Sequence, residues 1–191
     1  MQPPIKIKNT LRRSREYLSF SEIELIRRAA RSNVRHAHRD DTLILMMFRH
    51  ALRAGEVTAL RWEQVDLAQG LLHVRRLKAG LPATHPLQAV TLRALRRLQR
   101  LYPDTPYLFV SERKAPLSSR TVHHIVARAG EQAGLPFSIH PHMLRHSTGF
   151  YLANKGLDTR SIQAYLGHAS INNTVIYTAL GAGRFQGFWQ D

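Results

Sequence analysis

Residues 138–177 read SIHPHMLRHSTGFYLANKGLDTRSIQAYLGHASINNTVIY, and this stretch decides how the whole chain is interpreted. Pro141 suits the first turn of a helix, where its missing N–H costs nothing. Gly156 is a natural end for that helix. Asp158 is a good cap for a second helix, which the pattern predicts over residues 159–166. The stretch therefore predicts two consecutive helices joined by a short turn.

Four polar side chains in this stretch point to phosphate chemistry. His142 and Arg145 lie three residues apart, so they share one face of the predicted helix. His168 is expected on the turn after the second helix, and Tyr177 near the end of the next short helix. Histidines, an arginine and a tyrosine without a nearby carboxylate suit a phosphate diester as substrate.

The order of the polar residues resembles the pattern of the tyrosine recombinase, or integrase, family. That pattern is Arg, Lys, His-x-x-Arg, His and Tyr, and a lone His-x-x-Arg would mean little. The segments RLKAGLPATHPL, IHPHMLRHS and GAGRF are most similar to the fimbrial phase-switch DNA invertases. The resemblance covers residues 20–177 and supplies six ordered elements, which are Arg53, Lys78, His142, Arg145, His168 and Tyr177.

This resemblance implies the fold and the organisation of the chain. We expect the catalytic-domain fold of a tyrosine recombinase, mainly α-helical with a small β-hairpin or sheet. The catalytic domain would span residues 18–180, after a basic arm at residues 1–17, with no separate core-binding domain. A tail at residues 181–191 would follow. Docking of that tail on its own domain or on a neighbouring protomer is left open.

The resemblance also implies how the charge of the phosphate is handled. Tyr177 would attack phosphorus and hold the DNA through a 3′-phosphotyrosine, which stores bond energy for rejoining without ATP. Arg53 and Arg145 would bind the non-bridging oxygens, with His168 as a further donor. Because side chains supply this charge stabilisation, no metal and no other cofactor are expected.

Proton transfer is expected to involve two further residues. By resemblance, Lys78 lies in a β-hairpin and protonates the 5′ oxygen, while His142 assists proton transfer at the tyrosine. Glu56 is close enough in sequence to hold the guanidinium of Arg53 in one orientation. His146 is the second residue expected to support the site.

The composition favours a polyanionic partner. Of 191 residues, 28 are Lys or Arg and 13 are Asp or Glu, for a formal charge of +15. Nucleic acid is the expected partner of such a chain, and a membrane surface is the other candidate. However, no apolar run reaches a spanning length. Without cysteine there is no disulfide framework, and a bacterial cytoplasmic location near the nucleoid is the simplest expectation.

Three regions outside the catalytic set are expected to contact DNA, which are the N-terminal arm, the end of the strand before Lys78 and a later helix. The N-terminal arm would lie on phosphates, although a solubilising tail is the plainer alternative. A helix starting at Ser118 or Ser119 would enter a major groove by resemblance, although most charged helix faces are merely solvated. The expected DNA contacts are Arg12, Arg13, Arg75, Arg76, Arg120, His123 and His124.

Periodicity predicts the elements that carry Arg53 and Lys78. Residues 43–52, LILMMFRHAL, are apolar nearly all round, which indicates a buried helix with Arg53 at its carboxyl end. Residues 71–77, LLHVRRL, alternate between apolar and polar as a half-buried strand does. Residues 83–87 are expected to return as its partner, which places Lys78 at the turn.

The expected partner is double-stranded DNA with inverted-repeat half-sites. A homodimer would bind these sites and a tetramer would exchange strands, with DNA-bending accessory proteins as further partners. The implied function is inversion of a promoter-bearing segment that controls fimbrial genes. Two alternatives remain, which are an integrase or resolvase of a mobile element, and a DNA-binding regulator that does not cut.

Two alternative readings concern the chemistry of the site. A metal site formed by His140, His142 and His146 is disfavoured, because Arg145 would repel a cation and catalytic zinc sites commonly include a carboxylate or thiolate. Tyr165 is the next candidate nucleophile after Tyr177.

Overall fold

The structure is a computed structural model that describes residues 16–77 and 80–179. Within these ranges the chain is mainly helical with a small antiparallel sheet, which confirms the predicted fold class. The helices are α1 (Phe20–Arg31), α2 (Ala37–Arg49), α3 (Ala54–Thr58), α4 (Ala89–Leu101), α5 (Ser119–Gln132), α6 (Pro141–Asn154), α7 (Thr159–Leu166) and α8 (Asn172–Ala179). The strands are β1 (Val65–Asp66), β2 (Leu71–Val74) and β3 (Ala83–Pro86).

Helix α2 lies at the centre of the fold. Its residues 43–47 are almost completely buried, as the continuous apolar run predicts. Helices α1, α4 and α6 pack against it, and α5 packs against α1. Burying one such aliphatic side chain contributes roughly 1.5–3 kcal/mol, so this run stabilises the frame that positions the site.

Helix α1 begins with a reciprocal pair of hydrogen bonds. The carboxylate of Glu22 accepts from the backbone N–H of Ser19 at 2.8 Å, and the hydroxyl of Ser19 accepts from the N–H of Glu22 at 3.3 Å. This pair satisfies donors that the first turn leaves without helical partners. Ile23 and Ile26 then face the core, as the spacing of apolar residues predicts.

The three strands form one antiparallel sheet in the order β1-β2-β3. Strand β2 pairs with β3 in a register that places Leu72 opposite His85 and Val74 opposite Ala83. The predicted pairing of these two strands is therefore confirmed, although the first strand ends at Val74 rather than at Leu77. The expected turn residue Lys78 lies outside the described residues. Arg12, Arg13 and the tail at residues 181–191 also lie outside them.

The end of helix α2 differs from the expectation. The helix ends at Arg49, and Ala51 adopts a left-handed conformation with φ of 51°. The chain turns there, so Arg53 precedes α3 as its N-terminal cap residue rather than closing the buried helix. A left-handed alanine is uncommon because its Cβ crowds the backbone, and no glycine marks the turn in the sequence.

The boundaries of α6 and α7 match the prediction. Gly156 and Gly167 have φ of 81° and 66°, which glycine adopts readily at helix ends. Asp158 accepts hydrogen bonds from the backbone N–H groups of Arg160 and Ser161, which caps α7. Helices α6, α7 and α8 enclose a second small core of Ala51, Ile162, Leu166 and Tyr177.

Within the described residues, every helix is too short or too polar to cross a membrane.

Candidate active site

Arg145 is a buried guanidinium held by backbone carbonyls. It lies on α6 with 1% of its surface exposed. Its Nη1 donates to the carbonyl of Ala51 at 2.6 Å and its Nη2 to that of Leu166 at 2.7 Å. Burial, and then the charges of Arg53 and Arg76, lower the pKa of Arg145 to about 9, so the side chain stays positive at neutral pH.

Glu56 fixes Arg53 in the way that the sequence suggests. Its carboxylate accepts a hydrogen bond from Nη1 of Arg53 at 2.7 Å and another from the backbone N–H of Arg53 at 3.0 Å. Burial opposes ionisation of Glu56, but these hydrogen bonds and the charge of Arg76 lower its pKa overall. Glu56 is therefore a buried carboxylate anion that orients the guanidinium of Arg53.

Arg76 is not a surface contact, which corrects the expectation that it binds DNA like Arg75. Its side chain is 0% exposed, whereas that of Arg75 is 75% exposed. The guanidinium of Arg76 pairs with Glu56 at 3.0 Å. It also donates to three backbone carbonyls, which belong to His50, Ala51 and Tyr165.

The alternation of β2 contains the signal for this burial. Leu72 and Val74 face the core, and Arg76 is the next residue of that inward series, because side chains two apart in an extended chain share a face. Arg75 is on the outward series. The prediction that both arginines contact DNA misses this burial, because the apolar residues of the alternation end at Val74.

The arginines create an excess of buried positive charge. The charges of Arg53 and Arg76 act to lower the pKa of Arg145, and the charge of Arg53 acts to lower the pKa of Arg76. Glu56 offsets one of these charges. Buried charges are costly unless compensated, so an anion that reaches Arg53 and Arg145 is strongly favoured.

His168 is oriented by hydrogen bonds on the turn after α7. Its Nδ1 lies 2.9 Å from the hydroxyl of the buried Thr174, and its carbonyl accepts from Gln163 at 3.0 Å. Burial, and then the charges of Arg145, Arg53 and Arg76, lower the pKa of His168 to about 4. The ring is therefore neutral, and the tautomer in which Thr174 donates to Nδ1 has the ring proton on Nε2.

Tyr177 lies on α8 with 2% of its surface exposed. Its hydroxyl is 2.9 Å from Nδ1 of His146, and its ring is nearly parallel to that of His168 at a centroid distance of 6.4 Å. A Cβ at Gly149 would lie 2.7 Å from the Tyr177 ring, so glycine allows α8 to approach α6 here. Burial raises the pKa of Tyr177, while the charges of Arg145 and Arg53 act to lower it.

The two histidines of the α6 motif are placed differently from the expectation. In the part of the chain that the structure describes, the hydroxyl of Tyr177 is hydrogen-bonded to His146 and not to His142. The rings of the two histidines meet edge-on, with centroids 4.5 Å apart. Burial, and then the charges of His146 and Arg145, lower the pKa of His142 to about 4.

The remaining predicted contacts lie apart from this cluster. Arg120, His123 and His124 are exposed on α5, whose N-cap is Ser118. His124 and Arg128 line a cleft of about 810 Å³ between α5 and the segment that joins α1 to α2. These positions leave the three side chains available for contact with a large partner.

The geometry supports neither a metal site at His140, His142 and His146 nor Tyr165 as the nucleophile. His140 pairs with Glu16 at 3.5 Å, and within residues 16–77 and 80–179 no group of three or more His, Asp or Glu side chains could hold a metal. The hydroxyl of Tyr165 donates to the carbonyl of Arg49 at 2.7 Å, and its ring stacks on His85. The backbone carbonyl of Tyr165 also accepts a hydrogen bond from Arg76 at 2.8 Å.

Comparisons with known proteins agree with this geometry. The Phage integrase family matches residues 16–184. The chain is 44% identical over 182 residues to the type 1 fimbriae regulatory protein FimB of Escherichia coli K12, covering 93% of this chain and 90% of that protein. It also resembles two solved recombinases. For XerA the TM-score is 0.77 at 30% identity, over 90% of this chain and 63% of that chain.

The second solved structure is a pre-cleavage complex of the site-specific recombinase XerH with its difH substrate. The TM-score is 0.73 at 25% identity, over 86% of this chain and 50% of that chain. This chain thus spans half to two thirds of these recombinases but nearly all of FimB. The chain belongs to the phage integrase family and is a tyrosine recombinase.

Proposed function

We propose that this recombinase cuts and rejoins duplex DNA through a 3′-phosphotyrosine on Tyr177. The observation that carries the proposal is the cluster of the partly exposed Arg53 with the buried Arg76 and Arg145, whose positive charge Glu56 offsets only in part. A phosphate diester supplies the missing negative charge. Its transition state places further charge on the non-bridging oxygens, which makes the attraction stronger at the moment of reaction.

The proposed clamp consists of Arg53 and Arg145. Each is already held by fixed acceptors, Arg53 by Glu56 and Arg145 by the carbonyls of Ala51 and Leu166. This preorganisation means that little reorientation is needed when the phosphate arrives. His168 is proposed as a neutral donor through Nε2, in the tautomer in which the hydroxyl of Thr174 donates to Nδ1.

Tyr177 attacks phosphorus, and the bond from phosphorus to the 5′ oxygen breaks. Lys78 is the proposed acid that protonates this leaving group, from the hairpin between β2 and β3. The phosphotyrosine retains the energy of the broken bond, so the reverse reaction rejoins a strand without ATP. The guanidiniums stabilise the charge, so we propose that no metal is required and that cleavage proceeds in EDTA.

The proposed biological reaction is inversion of a promoter-bearing segment that controls fimbrial genes. The similarity to FimB, a fimbriae regulatory protein, supports this choice over integration or resolution of a mobile element. The fold shared with XerH, which was solved on its difH substrate, supports binding to a recombination site. A dimer on inverted half-sites and a tetramer during exchange follow from the symmetry of such sites. DNA-bending proteins would assist synapsis.

The experiment is incubation of the full chain with a suicide half-site taken from DNA adjoining its own gene. Such a substrate loses the cleaved fragment, so the covalent complex accumulates. A covalent protein–DNA adduct in EDTA is the expected result. A chain that binds the DNA tightly but forms no adduct would instead be the non-cutting regulator. An adduct that requires added zinc or magnesium would contradict the metal-free mechanism.

A further inference from the structure

The hydroxyl of Tyr177 must lose a proton as it attacks phosphorus, and the structure holds it against one acceptor. Oη of Tyr177 lies 2.9 Å from Nδ1 of His146. This distance is that of a direct hydrogen bond, and a general base must lie within such reach of the proton that it removes. His146 lies on α6 immediately after Arg145, so the same helical turn carries the clamp and the acceptor.

The surroundings of His146 keep its ring neutral and in the accepting form. Burial lowers the pKa of His146, the charge of Glu16 acts to raise it, and the charges of Arg145 and His140 act to lower it, so the pKa lies below its usual value. With Tyr177 donating to Nδ1, the ring proton lies on Nε2. His142 contacts His146 edge-on, and burial and neighbouring charges lower the pKa of His142 to about 4.

We propose that His146 is the proton acceptor for Tyr177 during cleavage and returns the proton when the strand is rejoined. The inference rests on the proposed role of Tyr177 as nucleophile. In cleavage, the bond from Oη to phosphorus forms, the bond from phosphorus to the 5′ oxygen breaks, and the phenolic proton moves to Nδ1. The 5′ oxygen takes its proton from the separate acid, Lys78 in the proposed mechanism. Rejoining reverses each of these transfers.

DNA binding strengthens this base. The positive charge of Arg145 disfavours protonation of His146 while the site is empty. A phosphate held by Arg53 and Arg145 offsets that charge, which raises the basicity of the ring at the moment when Tyr177 must ionise. The base is thus coupled to occupation of the clamp, and an unoccupied site keeps its tyrosine protonated.

The test is the rate of adduct formation on the suicide half-site in single turnover, measured from pH 5 to pH 9. His146→Asn places an amide oxygen near the position of Nδ1, so it retains a hydrogen-bond acceptor but cannot take up a proton. His142→Asn is the matched variant one turn earlier on the same helix. His146→Gln is a second version of the change, should the Asn variant fold poorly.

His146→Asn is expected to bind the half-site normally and to form adduct roughly 10²–10⁴-fold more slowly at neutral pH, the usual contribution of a general base. Its deficit should shrink as pH rises, because hydroxide then ionises the phenol. A fluorinated tyrosine at position 177, whose hydroxyl is more acidic, should restore much of the rate. A merely structural role for His146 would produce neither recovery.

Two results would overturn the proposal. One is a His146→Asn variant that forms adduct within about fivefold of the wild-type rate across the pH range. The other is a slow His146→Asn variant whose rate neither higher pH nor the more acidic tyrosine restores. The same would follow if His142→Asn, and not His146→Asn, were the variant that is slow and is restored by these two changes. Tyr177→Phe tests the nucleophile separately from the base, because an adduct formed by that variant would refute the assignment of Tyr177 as the nucleophile.

Discussion

Arg76 and Arg145 donate hydrogen bonds to the same carbonyl oxygen, that of Ala51, at 3.1 and 2.6 Å. Ala51 has the left-handed φ of 51° that ends helix α2. The turn therefore directs one backbone acceptor toward two arginines from different parts of the chain. Arg76 also pairs with Glu56, which holds Arg53, so a single buried side chain links both arginines of the proposed clamp.

Loss of Arg76 should destabilise the protein and weaken cleavage together. Arg76→Ala leaves Glu56 buried without one of its cations, and breaking a buried ion pair typically costs about 3–5 kcal/mol. The measurement is the free energy of unfolding in urea. Arg75→Ala is the control, because this neighbouring side chain is exposed and surface changes usually stay within about 0.5 kcal/mol. Equal stability of the two variants would contradict the anchoring role.

Arg53→Ala and Arg145→Ala should each slow cleavage by about 10²–10³-fold, which corresponds to roughly 2.7–4 kcal/mol of barrier. Lysine at either position should also impair cleavage, because an ammonium group cannot make the paired contact of a guanidinium. The measurement is adduct formation in single turnover at saturating protein. Full activity of either lysine variant would show that the bidentate contact is unnecessary.

A change of leaving group in the DNA should distinguish the role of Lys78 from that of the two clamp arginines. A 5′-bridging phosphorothioate substrate releases a thiolate, which needs little protonation. Lys78→Ala should therefore fail on ordinary DNA and recover cleavage on the sulfur substrate, whereas Arg53→Ala should recover much less. Equal impairment of Lys78→Ala on both substrates would make the lysine a positioning residue and leave the acid to be found elsewhere.

Stability should fall below neutral pH because of a buried histidine pair. The Nδ1 atoms of His50 and His85 lie 3.3 Å apart, and both side chains are buried. Burial, and then the charges of His85 and Arg49, lower the pKa of His50 to about 3. Burial and the charge of Arg76 lower that of His85 to about 4.

The direction of this pH dependence follows from whether the folded or the unfolded chain binds more protons. Above about pH 6.5, both histidines are neutral whether the chain is folded or unfolded. As pH falls from about 6.5 to about 4 for His85 and to about 3 for His50, the unfolded chain binds protons that the folded chain excludes, so the free energy of unfolding decreases. Each histidine contributes at most about 1.4 kcal/mol per pH unit. Urea unfolding of His50→Gln should show a shallower decrease than that of the exposed control His123→Gln, and identical slopes would refute the assignment.

Local signals predicted much of the fold. The capping pair at Ser19 and Glu22, the cap at Asp158 and the glycine at position 167 each act within a few residues, so the sequence shows them directly. The hairpin follows from strand alternation. The order of the polar motifs likewise predicts the family, because their spacing along the chain is visible in the sequence.

Contacts between distant segments were harder to predict. Ala51 turns the chain without a glycine, because carbonyl contacts from Arg76 and Arg145 stabilise a conformation that alanine alone disfavours. The hydroxyl of Tyr177 meets His146 rather than His142 because α8 crosses α6 at Gly149. Helix spacing places both histidines near the site, but only the crossing of the two helices decides which one reaches the tyrosine.

Identification of the DNA-linked residue tests the central claim most directly. The adduct formed with the suicide half-site would be digested with nuclease and trypsin, and the modified peptide sequenced by mass spectrometry. Trypsin cuts after Arg160 and Arg184, so one peptide, residues 161–184, contains both Tyr165 and Tyr177. Fragment ions distinguish the two tyrosines. The account predicts a nucleotide joined through its 3′-phosphate to Tyr177. The same modification on Tyr165 or on any other residue would contradict it.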